Sequence, residues 1–207
     1  MSWPAVTPAT LATPFIAYRG DAWYGVEAGS SVAPQAVVAD TAYAFPIWLE
    51  RASPIARITM MVGTSTASVS ARLALYGTRH DLPAPGRLLV GSMTEYDMGA
   101  AANTVHELVF ASPIWHPRGF VWGVSRFNGA AQPRTAQQNP TNGAAGQMFQ
   151  AMLGAAAPLA VQSQNPPNTT CRVTGALAYG AAWPDNFPAP SFGTNAPGSP
   201  VIQWRPT

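Results

Sequence analysis

Lysine is absent from this chain: all eleven basic residues are arginine. With so much Ala, Pro and Gly around them, this reflects GC-rich coding more simply than a function. Charge of either sign is scarce. Charged residues make up 10% of the 207 residues, against about 25% in average soluble domains. The net charge of +2 is small, and the arginines are scattered from Arg19 to Arg205 without a cluster. The electrostatic footprint of a nucleic-acid binder is therefore missing. Cysteine is nearly absent too. Cys171 stands alone, which excludes an internal disulfide and a thiolate metal site and leaves the expectation of a small buried apolar residue. No apolar run approaches the roughly 20 residues that span a bilayer. The first fifteen residues lack the basic region and continuous apolar core of a secretory signal. The expectation is a protein made in a cytoplasm that stays soluble or assembles there, with no membrane partner. There is no glycine-rich phosphate loop, no GxSxG, no internal repeat and no heptad.

What is present is alternation. Residues 43–90 hold three apolar runs separated by turn chemistry. Tyr43, Phe45, Ile47 and Leu49 fall on alternate positions, as do Ile58, Met60 and Val62, and then Val69, Ala71, Leu73 and Leu75. A period of two places one set of side chains on one face of a sheet. Helices are excluded by the shortness of the runs and by Pro54, Gly63, Gly77, Pro83, Pro85 and Gly86 between them. Ile58, Met60, Val62, Leu73, Leu75 and Trp122 are the expected core. Further strands are expected after Val90, over 105–110, 120–127 and 172–179, and at 201–204, with turns at 112–119 and long loops at 128–147 and 183–200. Residues 148–157 fit a strand or a short helical piece. In 120–127, Phe120, Trp122 and Val124 face one way, and Val121, Gly123, Ser125 and Phe127 the other. The pattern is that of an all-β protein: an antiparallel β-sandwich, jelly-roll-like, with about eight or nine strands. Residues 42–207 form the sandwich domain. Residues 1–41, punctuated by Pro4, Pro8, Pro14 and Pro34, read as an extended N-terminal arm for attachment or assembly, with a small ordered piece around 15–24.

Several short motifs carry a resemblance. They are the aromatic-Ala-Phe-Pro of 43–46, the Arg-Ile-x-x-x-Val of 57–62, the Ala-Arg-Leu-x-Leu-Tyr of 71–76 and the Leu-Pro-x-Pro-Gly-x-Leu-Leu of 82–89. Later pieces at 119–124, 173–177 and 200–205 add to them. Together they resemble β-sandwich domains in virion proteins of tailed bacteriophages and gene transfer agents, of the tail-fibre, head-spike or decoration type. The resemblance implies a structural protein exposed on a particle, with other virion proteins, of capsid or tail, as partners. It also implies self-assembly, with a homotrimer preferred because such fibres and spikes are commonly threefold. Low charge and seven tryptophans independently favour contact surface over bare solvent exposure, although a large aromatic core is the plainer reading of the same residues. Phe15, Tyr18 and Phe127 are the candidate subunit interface.

Chemistry is thin. His80 and Asp81 are adjacent in a turn, where neighbours seldom face each other. Glu95 and Asp97 share a strand face but fall short of the six or more oxygens calcium takes; a solvated strand end is the simpler reading. His106 and His116 have no ligand at metal spacing. No catalytic residue, metal or cofactor is expected. A sugar, whose apolar face stacks on aromatic rings, is the ligand class the composition suits best. Trp23, Tyr24, Trp115 and Trp183 are the candidate contacts to a host surface glycan or a protein partner, with Asn and Gln from 137–142. A carbohydrate-binding module is thus the second functional expectation. A glycan-cleaving enzyme is disfavoured by the shortage of paired carboxylates.

Overall fold

A computed structural model describes residues 22–24, 32–34, 36–82, 84–136, 172–193 and 199–206. The described chain is all-β, with every pairing antiparallel, in two sheets. The five-stranded sheet contains β1 (Val32–Pro34), β3 (Ser53–Thr64), β7 (Val105–His116), β9 (Gln132–Ala136) and β12 (Gln203–Arg205). The seven-stranded sheet runs β11 (Ser191–Gly193), β10 (Arg172–Ala176), β2 (Thr41–Leu49), β8 (Gly119–Phe127), β4 (Ser70–Thr78), β5 (Pro85–Gly91), with β6 (Tyr96–Asp97) also on β4. The twelve strands among the described residues exceed the eight or nine expected because β1, β9 and β11, each three to five residues long, lie where the sequence reads as arm and loop. Of these, β11 falls within the expected loop at 183–200, and β9 falls within that at 128–147. Residues 148–157 and Cys171 lie outside the described residues.

The main core draws side chains from both sheets, as in a β-sandwich. Tyr43, Phe45, Ile47 and Leu49 enter it from β2, Ile58, Met60 and Val62 from β3, and Ala71, Leu73 and Leu75 from β4. The alternation read from the sequence therefore holds. One irregularity is placed by the structure alone. Ile55 and Ile58 are both fully buried although three apart, a spacing that puts residues of a regular strand on opposite faces. The ladder is irregular at this place: the register with β7 shifts between Ile55 and Arg57. Pro46 sits on β2 just past its pairing with β10, which ends at Ala44, so its missing N–H leaves no gap in that ladder.

The outer face of the seven-stranded sheet is also apolar. Ala42 and Ala44 of β2, Ala74 and Tyr76 of β4, and Trp122 and Val124 of β8 form a second buried cluster with Trp183 and Phe187. The segment after β10 lies across this face and covers it. The fit is close. A Cβ on Gly91 would come within 2.5 Å of the Trp183 ring, so glycine is what allows the indole to sit there.

This arrangement corrects two expectations. Phe127, a candidate interface residue, is fully buried and meets Tyr43 edge-on at 6.3 Å between ring centroids. Trp122 is buried as expected, but in the outer cluster and not with Leu73. The grouping of β8 side chains into two faces is right; the face taken as outward is the inner one. Both faces are buried, so alternation marks two faces without saying which is central. A third correction concerns the turn at 112–119. Strand β7 continues to His116, pairing Ile114, Trp115 and His116 with Ile55, Pro54 and Ser53. Pro113 is tolerated there because β7 has a single partner strand among the described residues.

Parts of the arm join the body. β1 pairs with β9, and the Tyr24 and Trp204 backbones exchange N–H···O bonds of 2.8 and 2.7 Å. Phe15 and Tyr18 lie outside the described residues.

Candidate ligand-binding cleft

Two arginines hold the covering segment in place. Arg126 of β8 is fully buried and donates to the carbonyls of Ala178 and Ala181. Its guanidinium lies 4.2 Å from the Trp183 ring centroid, a stacked geometry suited to arginine. Burial, and then the neighbouring Arg72 charge, push its pKa down. Arg72 donates to the Tyr179 carbonyl at 2.8 Å, stacks 4.3 Å from the Tyr179 ring and pairs with Glu95 at 2.7 Å. Asp40, at a φ of 54° that Asp tolerates better than most residues, accepts from the Leu177 N–H through its carbonyl at 3.0 Å. Its carboxylate accepts from the Tyr179 N–H at 2.7 Å.

Tyr76 beneath this segment donates to the Pro184 carbonyl at 3.0 Å. Burial raises its pKa from 10.0 to about 12, with the Arg126 charge opposing and Asp185 adding to the rise. The folded value lies above the unfolded one. The stability contributed by the neutral phenol is therefore complete below about pH 10 and lost as pH rises through about 12. Burial raises Tyr96 and Tyr179 as well, so spectrophotometric titration should show several late-ionising tyrosines, the last of which disappears in Tyr76→Phe. An unchanged curve would mean that Tyr76 is not sealed in.

At one end of this outer face the cover stops, and a shelf and a cleft lie side by side. Trp48 of β2 pairs across the ladder with Phe120 of β8, their ring centroids 4.7 Å apart. Trp48 is 39% exposed, and its Nε1 donates to Glu50 at 2.8 Å. The Arg118 guanidinium lies 6.0 Å from its ring centroid. On the next strand Thr78 donates its hydroxyl to the Phe120 carbonyl at 2.6 Å and accepts from Trp122 Nε1 at 3.1 Å. Thr78 also opens the lining of a solvent-facing cleft of about 490 Å³, with Arg79, His80, Asp81, Pro85, Gly86, Arg87, Asn186 and Phe187. Arg79 donates twice to Asp81, at 2.9 and 2.8 Å. That fork is the main reason the Asp81 carboxyl sits down at about 2. Arg87 is exposed and makes no ion pair among the described residues.

The four aromatic residues singled out in the sequence do not converge. Trp115 is 71% exposed, but on strand β7. Trp23 and Tyr24 are half-buried, with Tyr24 against Trp204, 5.3 Å between ring centroids, and Arg205 5.8 Å from the Trp23 centroid. Strand β12, which carries Trp204 and Arg205, pairs with β3 residues that also pair with β7, so these two rings and Trp115 lie toward opposite edges of that sheet. Trp183 is a correction. At 8% exposed, with its Nε1 donating to the Ser92 carbonyl at 2.7 Å, it is packing and not contact surface; its loop folds back as the cover. Residues 137–142 lie outside the described residues.

The polar pairs are otherwise engaged. Asp81 is held by Arg79 rather than by His80. Glu95 is held by Arg72, and Asp97 accepts from the Gly99 N–H at 2.7 Å. His106 and His116 bond to the carbonyls of Asp97 and Pro117. Among the described residues, no three of His, Cys, Asp and Glu gather as metal ligands, and no helix is long and apolar enough to cross a membrane. Sequence reasoning missed Trp48, Phe120 and Arg87 as a group. A signal existed for Trp48, which stands at an even position among the inward Tyr43, Phe45, Ile47 and Leu49. The chain matches no model of a known protein family, and no curated protein is significantly similar to it.

Proposed function

We propose that this protein is a structural component of a tailed-phage or gene-transfer-agent-like particle. In this reading it is a jelly-roll-like β-sandwich exposed on a fibre, spike or head, acting by adhesion and assembly without catalytic turnover. The observation that carries the reading is where the virion-like motifs fall. Residues 43–46, 57–62 and 71–76 lie on β2, β3 and β4 and supply much of the main core, so they belong to the framework of the domain and not to its loops. A sheet covered on both faces also gives a stiff body suited to an exposed position. Self-association, as a homotrimer, is proposed through the outer side of β7. There Val105, Val109 and Trp115 are 51%, 57% and 71% exposed, on a strand whose other edge has no partner strand among the described residues. The arm, residues 1–41, is proposed to join partner virion proteins.

Mass spectrometry of purified particles tests the reading directly: the protein is expected among the virion components. Deleting residues 1–14 is expected to leave a folded domain that no longer incorporates. Absence from particles, with the protein free in the lysate, would overturn the assignment.

A carbohydrate-binding module is the second reading, favoured by one observation: the shelf of exposed Trp48 and half-buried Phe120 borders the cleft. The two readings coincide if the virion protein is itself the adhesin for a host surface glycan.

A further inference from the structure

We infer that the shelf and the cleft together form one binding site for an acidic glycan, with one sugar ring on Trp48 and the carboxylate of another sugar of the same oligosaccharide on Arg87. The inference rests on the adhesive part of the function proposed above. Its first support is adjacency. Trp48 pairs with Phe120, and Thr78, on the strand beside β8, donates to the Phe120 carbonyl. With strands about 4.8 Å apart, the shelf and the cleft mouth are separated by about 10 Å, the reach of a short oligosaccharide. A continuous surface of aromatic ring followed by polar groups matches a pyranose, which has an apolar face and a hydroxyl rim.

The second support is charge. Arg79 and Asp81 satisfy each other within the cleft. Arg87 inside the cleft and Arg118 beside the shelf are both exposed, and neither makes an ion pair among the described residues. Two guanidinium groups without an ion pair then flank the path, against one carboxylate, Glu50, which accepts from Trp48 Nε1. A planar guanidinium takes a carboxylate through two parallel hydrogen bonds. A neutral sugar would leave this capacity unused, whereas a uronic or sialic type of residue would fill it. The aromatic stack sets the ring, and the arginine selects the acidic member.

The test is calorimetric titration of the full chain with a uronic-acid oligosaccharide and with the same oligosaccharide after carboxyl reduction. Inorganic phosphate serves as a third probe. Binding of the acidic form is expected to be at least about tenfold tighter than that of the reduced form, and to weaken with added salt because the pair is exposed. Arg87→Ala should abolish the preference, and Trp48→Ala should weaken both forms. Both side chains are exposed, and unchanged near-ultraviolet circular dichroism will confirm folding. Equal binding of acidic and reduced forms, unaltered affinity in Arg87→Ala, or binding of phosphate alone would each overturn the inference. So would no binding to either oligosaccharide. Particle composition, measured separately, decides the virion assignment whatever this titration gives.

Discussion

Replacing Trp122 with alanine is expected to lower the unfolding free energy by about 3–5 kcal/mol, the usual cost of deleting a large buried aromatic side chain. The side chain is fully buried beneath the segment that carries Trp183 and Phe187. Its Nε1 donates to Thr78 at 3.1 Å, so the substitution leaves a cavity and removes a donor from a hydroxyl next to the cleft. Equilibrium unfolding in guanidinium measures the loss, with Trp48→Ala as the partly exposed comparison, expected to cost about 1 kcal/mol through its contact with Phe120. A loss below about 1 kcal/mol, well short of that for a filled core site, would mean that the outer face is not packed as described.

Arg126→Ala is expected to cost about 2–4 kcal/mol. A buried hydrogen bond to a charged group contributes about 1.5–3 kcal/mol, partly offset because the guanidinium no longer has to be desolvated. Two carbonyls of the covering segment, on Ala178 and Ala181, lose their donor, and the Trp183 ring loses the cation at 4.2 Å. Arg126→Lys should recover little, because an ammonium cannot hold both carbonyls and stack on the ring at once. The loss should be local as well as global. Hydrogen exchange of the Leu177, Tyr179 and Ala181 amides, each bonded in the folded segment, is expected to accelerate more than that of the central strands. Uniform acceleration across β2, β4 and β8 would instead make Arg126 a general core residue with no special hold on the cover.

The two substitutions probe the feature that separates the sequence from the structure. Period-two alternation is a local property of an extended chain, since successive side chains must point to opposite faces. The sequence by itself therefore determined that residues 43–49, 58–62 and 69–75 are strands whose alternate residues share one buried face, and that the described fold is all-β and antiparallel. Its turn residues separated those strands, and its lack of clustered charge and cysteine narrowed the chemistry. Tertiary structure decided which side of β8 is central, because the cover over Trp122 comes from residues about sixty positions further along the chain. It decided that Trp183 is packing, since only the folded loop reaches the outer face, and that Phe127 meets Tyr43 in the main core. It also assembled the candidate site. Trp48, Thr78, Arg87 and Phe120 stand on four different strands, and only the lateral order β2, β8, β4, β5 brings them into one row. Lateral order depends on hydrogen bonding between distant segments, and no local pattern of side chains records it.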